Sequence, residues 1–440
     1  MSNWLPAIMA TLAIAFLSFV LGSGTSYLNL PPGNAFHDAF RAAEALYVQK
    51  NSFQNPYATH LWQPTFHDFS GIGRNDPDAA QQGYTLFTSG NRQGAQLINM
   101  QGEVVHQWDM PFYSVWPDAE HLSQRPADDF IAWRKAMVWP NGDLLALYIA
   151  EGITPWGMGV IKLDKDSNLI WKYPGKAHHD FDVAPDGRIY LLTHEIRSNP
   201  ISGLPRIAPP FLDDRIVVLD AEGNELADVG ILEAFIGSPY QDFLRGVPRS
   251  PIGDYLHVNA IEVMTEALTT AHPYAQPGEV LVSMRQPNLL AVINPDSGKV
   301  TWAKRGPWIG QHDPDFLPNG NVLLFDNRGR MAAGGISRVL EFNPASGGIT
   351  WQYEGNADEP FQSGLRAGQQ RLANGNTLIT ESDRGRLLEV NTAGNVVWEY
   401  VNPDRGGPNN GYTPVLMWGQ RYLPEQIAFL KATTTGDTEE

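Results

Sequence analysis

The sequence predicts an all-β fold, a six-bladed β-propeller, and two features carry this prediction. Beyond residue 80, a short apolar strand repeatedly runs into a Pro-Asn/Asp-Gly turn, and a second strand such as "DLLALY" or "NVLLFD" follows. A third strand, a small polar turn and a fourth strand ending in an aromatic residue complete each unit, which is typical of propeller blades. The composition agrees, because 42 glycines and 33 prolines fall between the apolar runs, as in turn-rich all-β proteins.

Six such units follow one another, and the first, at 82–110, lacks an opening strand. The others open near Phe130 and at "HHDFDVAPDG", "YLHVNAIEVM", "QHDPDFLPNG" and "GQQRLANGNTLI". The strand-like tail "TPVLMWGQRY" (413–422) is predicted to supply the missing strand, because pairing the two ends removes open sheet edges. Tryptophans recur at the ends of fourth strands and are predicted to pack blade against blade: Trp171, Trp302, Trp351 and Trp398.

The N-terminal region is predicted to lie outside the propeller. Residues 4–22 form an uncharged stretch of 19 residues, about the length that crosses a hydrocarbon core. A cleaved signal peptide is the alternative, but no Lys or Arg precedes Arg41, so we favour a retained anchor with everything downstream exported. The apolar spacing in 34–50 predicts a short amphipathic helix. The chain then divides into a transmembrane anchor or uncleaved signal (1–25), a juxtamembrane helix and linker (26–80), the propeller (81–425) and an acidic tail (426–440).

Composition excludes several classes of function. A net charge of −17 argues against nucleic acid as a partner, because that contact needs a basic stripe. The absence of cysteine excludes disulfides, thiolate catalysis and cysteine-ligated metal. We expect neither a cofactor nor a bound metal.

Two stretches repeat a histidine at the same distance from the same turn. His179 and His312 each precede the proline of that turn by six residues, and they are 133 residues apart (312 − 179). The first strand of each propeller blade lines the central channel, so residues at equal offsets lie at similar heights around one axis. Arg134 occupies the same offset in blade two, and His257 opens the first strand of blade four. These four side chains are predicted to ring one mouth of the channel, where imidazoles and a guanidinium suit an anion.

The aspartates beside these histidines raise the alternative of a metal site. Neighbouring residues of a strand point to opposite faces, so Asp180 and Asp313 are predicted to make hydrogen bonds between blades instead of joining the site. A calcium-dependent six-bladed hydrolase would need several carboxylate and carbonyl ligands in the channel. The sequence offers mainly His and Arg there, so this alternative ranks last.

The segments "HHDFDVAPDG", "HVNAIEV" with the following "EVLVSMRQPNLLAVI", and "QHDPDFLPNGN" resemble bacterial arylsulfate sulfotransferases, six-bladed propellers of the cell envelope. The resemblance covers roughly residues 80–425. It implies transfer of a sulfuryl group between phenols without a nucleotide donor, with His312 as the transiently sulfurylated nucleophile. It further implies that His179, His257 and Arg285 hold the sulfuryl oxygens, and Asn259 also matches the family.

The chain also departs from that family. The large N-terminal β-domain and the disulfide of the enteric members are missing, and insertions at 195–214 and 265–278 lengthen blades three and four. Each insertion is expected to be either a lid over the channel mouth or a surface loop. These departures affect the expected preference for a phenolic acceptor more than they affect the expected transfer chemistry.

Two functions of different classes remain open. The first is a membrane-anchored aryl sulfotransferase facing the periplasm, which moves a sulfuryl group from a phenolic sulfate ester to a phenolic acceptor through a sulfohistidine. Its catalytic residues are then His312, His257, His179 and Arg285, and its substrate-binding residues are Asn259 and Arg134, the last from the offset argument alone. The second is an accessory or binding subunit of a membrane protein assembly, held by residues 4–22, which keeps the fold without turnover.

Overall fold

Short apolar runs and tight turns fold this chain into six antiparallel sheets arranged as propeller blades. The structure is a computed structural model, and it describes residues 4–27, 55–247, 250, 252–330 and 335–434. Runs such as "LLALY" are buried on both faces, as expected of strands packed between neighbouring blades. In the Pro-Asn/Asp-Gly turns the glycine adopts a left-handed φ, for example 89° at Gly142 and 85° at Gly320, which favours glycine over other residues.

The strands follow the predicted pattern of four strands in each blade. Ahead of the blades lie β1 (Trp62–Pro64) and β2 (Gly71–Asn75). Blades one to three contain β3 (Tyr84–Ser89), β4 (Gly94–Ile98), β5 (Val104–Asp109); β6 (Ile131–Val138), β7 (Leu144–Ala150), β8 (Gly157–Leu163), β9 (Leu169–Tyr173); and β10 (Ala177–Val183), β11 (Ile189–Arg197), β12 (Phe211–Leu219), β13 (Glu225–Gly230). Blades four to six contain β14 (Val258–Val263), β15 (Val280–Met284), β16 (Leu289–Asn294), β17 (Lys299–Arg305); β18 (His312–Phe316), β19 (Val322–Arg330), β20 (Ile336–Phe342), β21 (Ile349–Tyr353); and β22 (Gly368–Arg371), β23 (Thr377–Glu381), β24 (Arg386–Val390), β25 (Val396–Val401). The chain then adds β26 (Tyr412–Pro414) and β27 (Leu416–Tyr422).

The C-terminal strand closes the first blade, as predicted. β27 pairs antiparallel with β3, in a register that places Tyr422 opposite Tyr84 and Leu416 opposite Ser89. Blade one therefore has four strands, in the order β27-β3-β4-β5. This pairing joins the two ends of the propeller and protects edges that would otherwise be open to other chains.

Residues between the predicted anchor and the propeller also belong to the sheets. β2 pairs with β25 and makes blade six five-stranded, and β1 pairs with β26. The compact unit accordingly spans 56–440, whereas the prediction began the propeller at residue 81. The reason is that β2, "GIGRN", has no apolar alternation of its own and becomes a strand only by pairing with the outer edge of blade six.

Tryptophans join neighbouring blades, as predicted. Trp171 Nε1 donates to the carbonyl of Ala221 in the next blade at 3.0 Å. Trp351 and Trp398 repeat this contact with blades six and one, each at 3.1 Å. Trp302 packs against a core cluster shared by blades four and five and stacks on Tyr274 of the insertion after β14, with ring centroids 4.7 Å apart.

Short helices lie in the connections between the strands of the propeller and after its last strand. They span Phe112–Val115, Ile231–Phe235, Asp242–Arg245, Glu266–Thr269 and Phe429–Thr434, with 3-10 turns at Pro56–Ala58, Asp128–Phe130, Ser382–Arg384, Pro408–Asn410 and Pro424–Gln426. Phe429, in the region predicted as an acidic tail, packs edge-to-face on His106 at 5.0 Å and Trp108 at 5.8 Å. Residues 435–440 of that tail lie outside the described residues.

The N-terminal unit, residues 1–55, contains one described helix, α1 (Trp4–Tyr27). Its window Ile8–Thr25 has a mean hydropathy of 1.9 and is long and apolar enough to cross a membrane, a test that a signal sequence near the N-terminus also passes. The amphipathic helix predicted for 34–50 lies outside the described residues.

The insertion at 265–278 does not cover the channel mouth, so of the two alternatives expected for this segment, a lid or a surface loop, the structure favours the loop. It follows the end of β14 that lies away from His257. There His272 Nε2 bonds the carbonyl oxygen of Leu317, in the turn between the first two strands of blade five. Strand direction decides this placement, because a segment leaving the far end of an inner strand reaches the opposite face of the propeller.

The insertion at 195–214 lies on the same face as the predicted site. It contains the ends of β11 and β12 and the loop between them. The N–H of Ala208 donates to the Tyr255 hydroxyl at 3.2 Å, so the loop is held against the segment that leads into His257.

Candidate active site

The inner strands of four blades carry irregularities near the channel mouth. The β6–β7 ladder shifts at Arg134, and the β14–β15 ladder shifts at Asn259. Similar shifts interrupt β10 and β18 just before Phe181 and Asp315. A bulge bends its strand and re-aims the side chains beside it. The predicted site residues on inner strands therefore lie where the regular alternation of side chains is broken.

Backbone strain is concentrated at the same height. His179, His257 and Asp313 have left-handed φ values of 58°, 50° and 54°. Such conformations cost roughly 1–3 kcal/mol each in non-glycine residues, and they cluster at sites where the surroundings enforce them. Three of the strained non-glycine residues of the propeller thus lie at or next to the predicted site residues.

The structure brings His179 and His257 into direct contact. Their ring centroids are 5.0 Å apart, and Trp156, from the loop between β7 and β8, lies 6.0 Å from the first and 5.5 Å from the second. Trp156 Nε1 donates to His179 Nδ1 at 3.4 Å. Burial, followed by the neighbouring His257, holds the pKa of His179 well below its usual range. His179 is thus a neutral imidazole.

Hydrogen bonds assign the tautomer of His312. Its Nδ1 lies 2.7 Å from Asn327 Oδ1 and 3.1 Å from the carbonyl oxygen of Gly310. The Asn327 amide is held in this orientation because its Nδ2 donates to the carbonyls of Ser363 and Arg366, both at 2.9 Å. Both neighbours of His312 Nδ1 are acceptors, so Nδ1 carries the proton and Nε2 keeps its lone pair.

Arg285 lies beside both His257 and His312. Its main-chain N–H donates to the His257 carbonyl at 3.2 Å, and its Nε is 4.0 Å from the position that a β-carbon on Gly310 would occupy. This Nε is buried and has no hydrogen-bond partner among the described residues. Burial, and then the charge of Arg285, holds the pKa of His312 well below its usual range, which keeps that imidazole neutral.

His257 forms a dyad with Asp254. The His257 Nδ1 and the Asp254 Oδ2 are 2.5 Å apart. The carboxylate accepts, so Nδ1 donates, and this bond fixes the orientation of the imidazole ring. The His257 side chain is 22% exposed and that of Asp254 only 4%, so the dyad runs from a buried acid to the accessible end of the site. This arrangement suits general acid–base catalysis.

The two predicted substrate-binding residues differ in which of their hydrogen-bonding groups remain without a partner. Arg134 donates through one terminal nitrogen to the carbonyl of Met417, and its buried Nε has no partner among the described residues. Asn259 donates its Nδ2 to the carbonyl of Gln311 at 2.8 Å, and its Oδ1 has no partner in the same part of the chain. Arg134 therefore retains its Nε–H donor, whereas Asn259 retains its Oδ1 acceptor and the second N–H of Nδ2.

Carboxylates behind the site join one blade to the next, as predicted for Asp180 and Asp313. Asp180 Oδ2 accepts from the N–H of Ile261 at 2.9 Å, and Asp313 Oδ2 accepts from the N–H of Gln369 at 2.8 Å. Lys135 Nζ lies 2.6 Å from Asp180 Oδ1 and neutralises part of this charge. Burial, followed by the charge of Asp180, raises the pKa of Asp313 to about 7.

The buried carboxyl and the buried histidines make opposite contributions to the pH dependence of stability. Asp313 has a folded pKa of about 7 against an ordinary 3.8, so the folded state holds an extra proton between these values, and this contribution to stability is lost as pH rises towards about 7. His179 and His312 have folded pKa values below 6.5, so the unfolded chain binds more protons and stability falls as pH drops below that value. Among these three groups, none changes the stability much further once the pH is above about 7.

Thermal unfolding of the wild type and Asp313→Asn, compared across pH, checks this expectation. The Tm of Asp313→Asn relative to wild type should rise between about pH 4 and pH 7 and level off above, because the variant lacks the titrating carboxyl, while the same substitution at the exposed Asp78 should keep a constant offset. A difference between Asp313→Asn and wild type that does not change with pH would contradict the assignment.

One cluster in the described part of the chain has the residue types of a metal site. His178, His194 and Asp214 are buried, with potential ligand atoms within 4.8 Å of one another. The hydrogen bonds oppose a metal here, because His194 Nε2 accepts the N–H of Gly157 at 3.2 Å. The proton of this neutral ring is then on Nδ1, and no lone pair is left for an ion.

Sequence reasoning missed Asp254, Asn327 and Trp156. Asp254 had a weak signal, since it stands three residues before His257 in "DYLHVN". The others had none: Asn327 lies on β19 and reaches His312 only because β18 and β19 pair, and Trp156 lies in a loop of a different blade.

Comparisons with solved structures found proteins of low similarity. They include a protein of unknown function from Bacteroides caccae (16% identity, 73% of this chain and 94% of that one, TM-score 0.46). They also include a streptogramin B lyase (13% identity, 80% and 90%, TM-score 0.41) and a virginiamycin B lyase from Staphylococcus aureus (12% identity, 78% and 88%, TM-score 0.39). None of the curated proteins matches the chain.

A family model does match. The arylsulfotransferase (ASST) model covers residues 135–403, well over half of the chain and most of the six blades, including the strands that carry the histidines described above. With that match and a six-bladed propeller, this chain belongs to the arylsulfotransferase family.

Proposed function

We propose that this chain is a membrane-anchored, envelope-facing enzyme that moves a sulfuryl group from a phenolic sulfate ester to a phenolic acceptor through a sulfohistidine at His312. Family membership supports an aryl sulfate donor and a phenol acceptor. The observation that carries the mechanism is the tautomer of His312, whose Nδ1–H is bound by two acceptors while Nε2 keeps its lone pair. A neutral nitrogen with a free lone pair is what attack on sulfur requires.

In the first half-reaction, Nε2 of His312 forms a bond to sulfur while the bond between sulfur and the aryl oxygen breaks. His257, protonated beside Asp254, gives its proton to the departing phenolate, so a neutral phenol leaves. Arg285 and the free nitrogen of His179 donate to the sulfuryl oxygens as charge develops on them. The proton on His312 Nδ1 stays in place, and the sulfurylated ring carries a positive charge that makes it a good leaving group.

In the second half-reaction, an acceptor phenol transfers its proton to His257, and its oxygen attacks sulfur. The bond between nitrogen and sulfur breaks, and the electron pair returns to Nε2 of His312. His257 is protonated again and His312 is neutral, so the site returns to its starting state. Donor and acceptor use the same site in turn, which predicts ping-pong kinetics.

Arg134 and Asn259 support this site in different ways. The free Nε–H of Arg134 can donate to a sulfuryl oxygen. Asn259 donates from Nδ2 to the Gln311 carbonyl, and in this proposal that bond holds the strand that presents His312. The second N–H of Nδ2 is left for the substrate contact expected from the resemblance.

In this proposal α1 attaches the enzyme to the membrane. Its apolar length fits a span, and no charged residue interrupts it. The intact mass of protein purified from membranes separates an anchor from a signal sequence, because a cleaved signal removes the mass of the N-terminal helix.

The proposal is tested with the full-length protein in detergent, a nitrophenyl sulfate donor and a phenol acceptor. We expect nitrophenol release that depends on the acceptor, formation of the sulfated acceptor, and no effect of a chelator. With donor alone, the peptide containing His312 should gain the mass of one SO3 group. No release above buffer would overturn the proposal and favour the accessory subunit, which predicts stoichiometric membrane partners on purification. Chelator-sensitive release of free sulfate would favour the calcium-dependent hydrolase.

A further inference from the structure

Behind His179 lies a chain of buried groups that the proposed mechanism does not use. His178 Nδ1 is 2.8 Å from His179 Nδ1, and His178 Nε2 is 3.4 Å from Asp214 Oδ1. His178 is fully buried, and Asp214 is 2% exposed. The ring of His194 stacks on His178 with centroids 4.1 Å apart, which holds the His178 ring in place. These groups come from β10, β11 and β12 of one blade.

The contacts of His179 determine which of its nitrogens carries the proton. The indole N–H of Trp156 points at His179 Nδ1, and an indole nitrogen can only donate. Nδ1 is therefore an acceptor, and the single proton of the neutral ring lies on Nε2. Because His179 Nδ1 accepts, the nitrogen of His178 that faces it at 2.8 Å must be an N–H donor.

The contact between His178 Nε2 and Asp214 indicates a second proton. If His178 carries its proton on Nδ1 and Asp214 is ionised, a lone pair on Nε2 faces an acceptor oxygen in a dry interior, which is repulsive. The N–H of Val258 already bonds the other oxygen of Asp214, Oδ2, at 3.3 Å, so the carboxyl is not free to turn away. Burial also raises the pKa of Asp214, which favours a proton in this place. The 3.4 Å gap between Oδ1 and Nε2 is within ion-pair range, although it lacks a well-directed hydrogen bond.

We propose that Asp214 and His178 share a trapped proton and act as a positioning relay that fixes His179 in its Nε2–H tautomer. Asp214 keeps Nε2 of His178 protonated or hydrogen-bonded, His178 then donates from Nδ1 to His179, and His179 presents an N–H to the sulfuryl group. The purpose of the relay depends on the proposed function, because only an oxyanion requires His179 to be a donor. Without the relay, His179 is free to present a lone pair, which repels a sulfuryl oxygen.

Other titratable groups face the relay from the elements packed against it. His194 stacks on His178 from β11, and His257 contacts His179 from the start of blade four. Arg134 and His312 act on His179 from blades two and five, and Asp254 acts on Asp214 from the segment before β14. A pH profile of the wild type alone therefore mixes several groups, and paired variants are needed.

The first pair of variants is at His178. His178→Phe keeps a ring against His194 and removes the donor to His179, while His178→Gln keeps a side-chain N–H that can still reach it. We expect His178→Phe to lower kcat and kcat/KM for an aryl sulfate together by about 10²-fold, the usual cost of one lost oxyanion donor. His178→Gln should recover part of that loss. Equal rates in wild type and His178→Phe would overturn the relay.

The second pair is at Asp214 and keeps the test valid if a histidine variant misfolds. In Asp214→Asn, the amide oxygen can take the Val258 N–H, which leaves the amide nitrogen to donate to His178 Nε2 and preserves the tautomer. Asp214→Leu offers no proton. We therefore expect Asp214→Asn to stay within a few-fold of wild type and Asp214→Leu to match His178→Phe, with thermal unfolding as the check that each is folded. The reverse order would overturn the relay.

A spectroscopic measurement tests the relay independently of catalytic turnover. In protein labelled with 15N-histidine, the His179 signals, assigned by their loss in His179→Gln, should show an unprotonated Nδ1 and a protonated Nε2, and His178→Phe should shift both. A proton on His179 Nδ1 in the wild type would overturn the relay even if transfer activity is present. An inactive protein with the expected tautomer would support the relay and overturn the proposed function. One equivalent of zinc in the wild type, lost in His194→Asn, would also overturn the relay, because a metal on His178 would replace the proton.

Discussion

Replacing His312 with asparagine is expected to lower kcat/KM for an aryl sulfate by about 10³-fold or more. Asparagine can still fill the space next to Gly310, but its amide nitrogen has no lone pair for attack on sulfur. The variant should also fail to gain SO3 when incubated with donor alone, so the covalent intermediate and the turnover disappear together. Steady-state rates and mass spectrometry of the peptide containing residue 312 measure the two losses.

The matched control is His106→Asn, the same substitution outside the channel. His106 lies on β5, at the outer edge of blade one, where it bonds the carbonyl of Lys165. We expect this variant to retain wild-type transfer. Phenol release by His312→Asn at the rate of this control would show that another group is the nucleophile.

Asp254→Asn is expected to slow transfer by roughly 10²–10⁴-fold for phenols that are poor leaving groups. The amide can still accept from His257 Nδ1 across the observed 2.5 Å contact, but it supplies no negative charge to stabilise the protonated imidazole. The departing phenolate then leaves without a proton. A nitrophenolate needs no proton, so the first half-reaction with a nitrophenyl sulfate should change little.

The measurement is the burst of phenol released by donor alone, taken over a series of aryl sulfates of increasing phenol pKa. The plot of log rate against that pKa should be steeper in Asp254→Asn than in the wild type, and identical to wild type in the control Asp166→Asn, whose side chain is 62% exposed. An equal loss across the whole series would mean that Asp254 orients His257 but does not tune its proton transfer.

The architecture of the propeller was largely predictable because its signals are local. A Pro-Asn-Gly turn needs only its own glycine at a left-handed φ, and strands such as "LLALY" need only buried neighbours on both faces. The closing strand β27 could also be predicted, since blade one lacked a strand and 413–422 had the pattern of one. Strand β2 could not be predicted, because "GIGRN" has no strand pattern of its own and forms a strand by pairing with the edge of β25.

For the candidate site, the sequence allowed its members to be proposed but not their protonation states. Equal offsets from a repeated turn pointed to His179, His312 and Arg134, because side chains at one height of a propeller meet around its axis. The family resemblance added Arg285 and Asn259. Asp254, Asn327 and the pair of His178 and Asp214 entered only with the structure, although His178 stands next to His179 in the sequence.

The sequence alone was thus enough to predict the six-bladed fold and its closure and to propose residues for the channel mouth, since turns, strand alternation and repeat spacing are properties of short segments. Only the tertiary structure decided which nitrogen of each imidazole carries a proton, which acid faces His257, and on which face of the propeller each insertion lies. The physical reason is that a proton is placed by the donors and acceptors around it, and here these come from strands far apart along the chain.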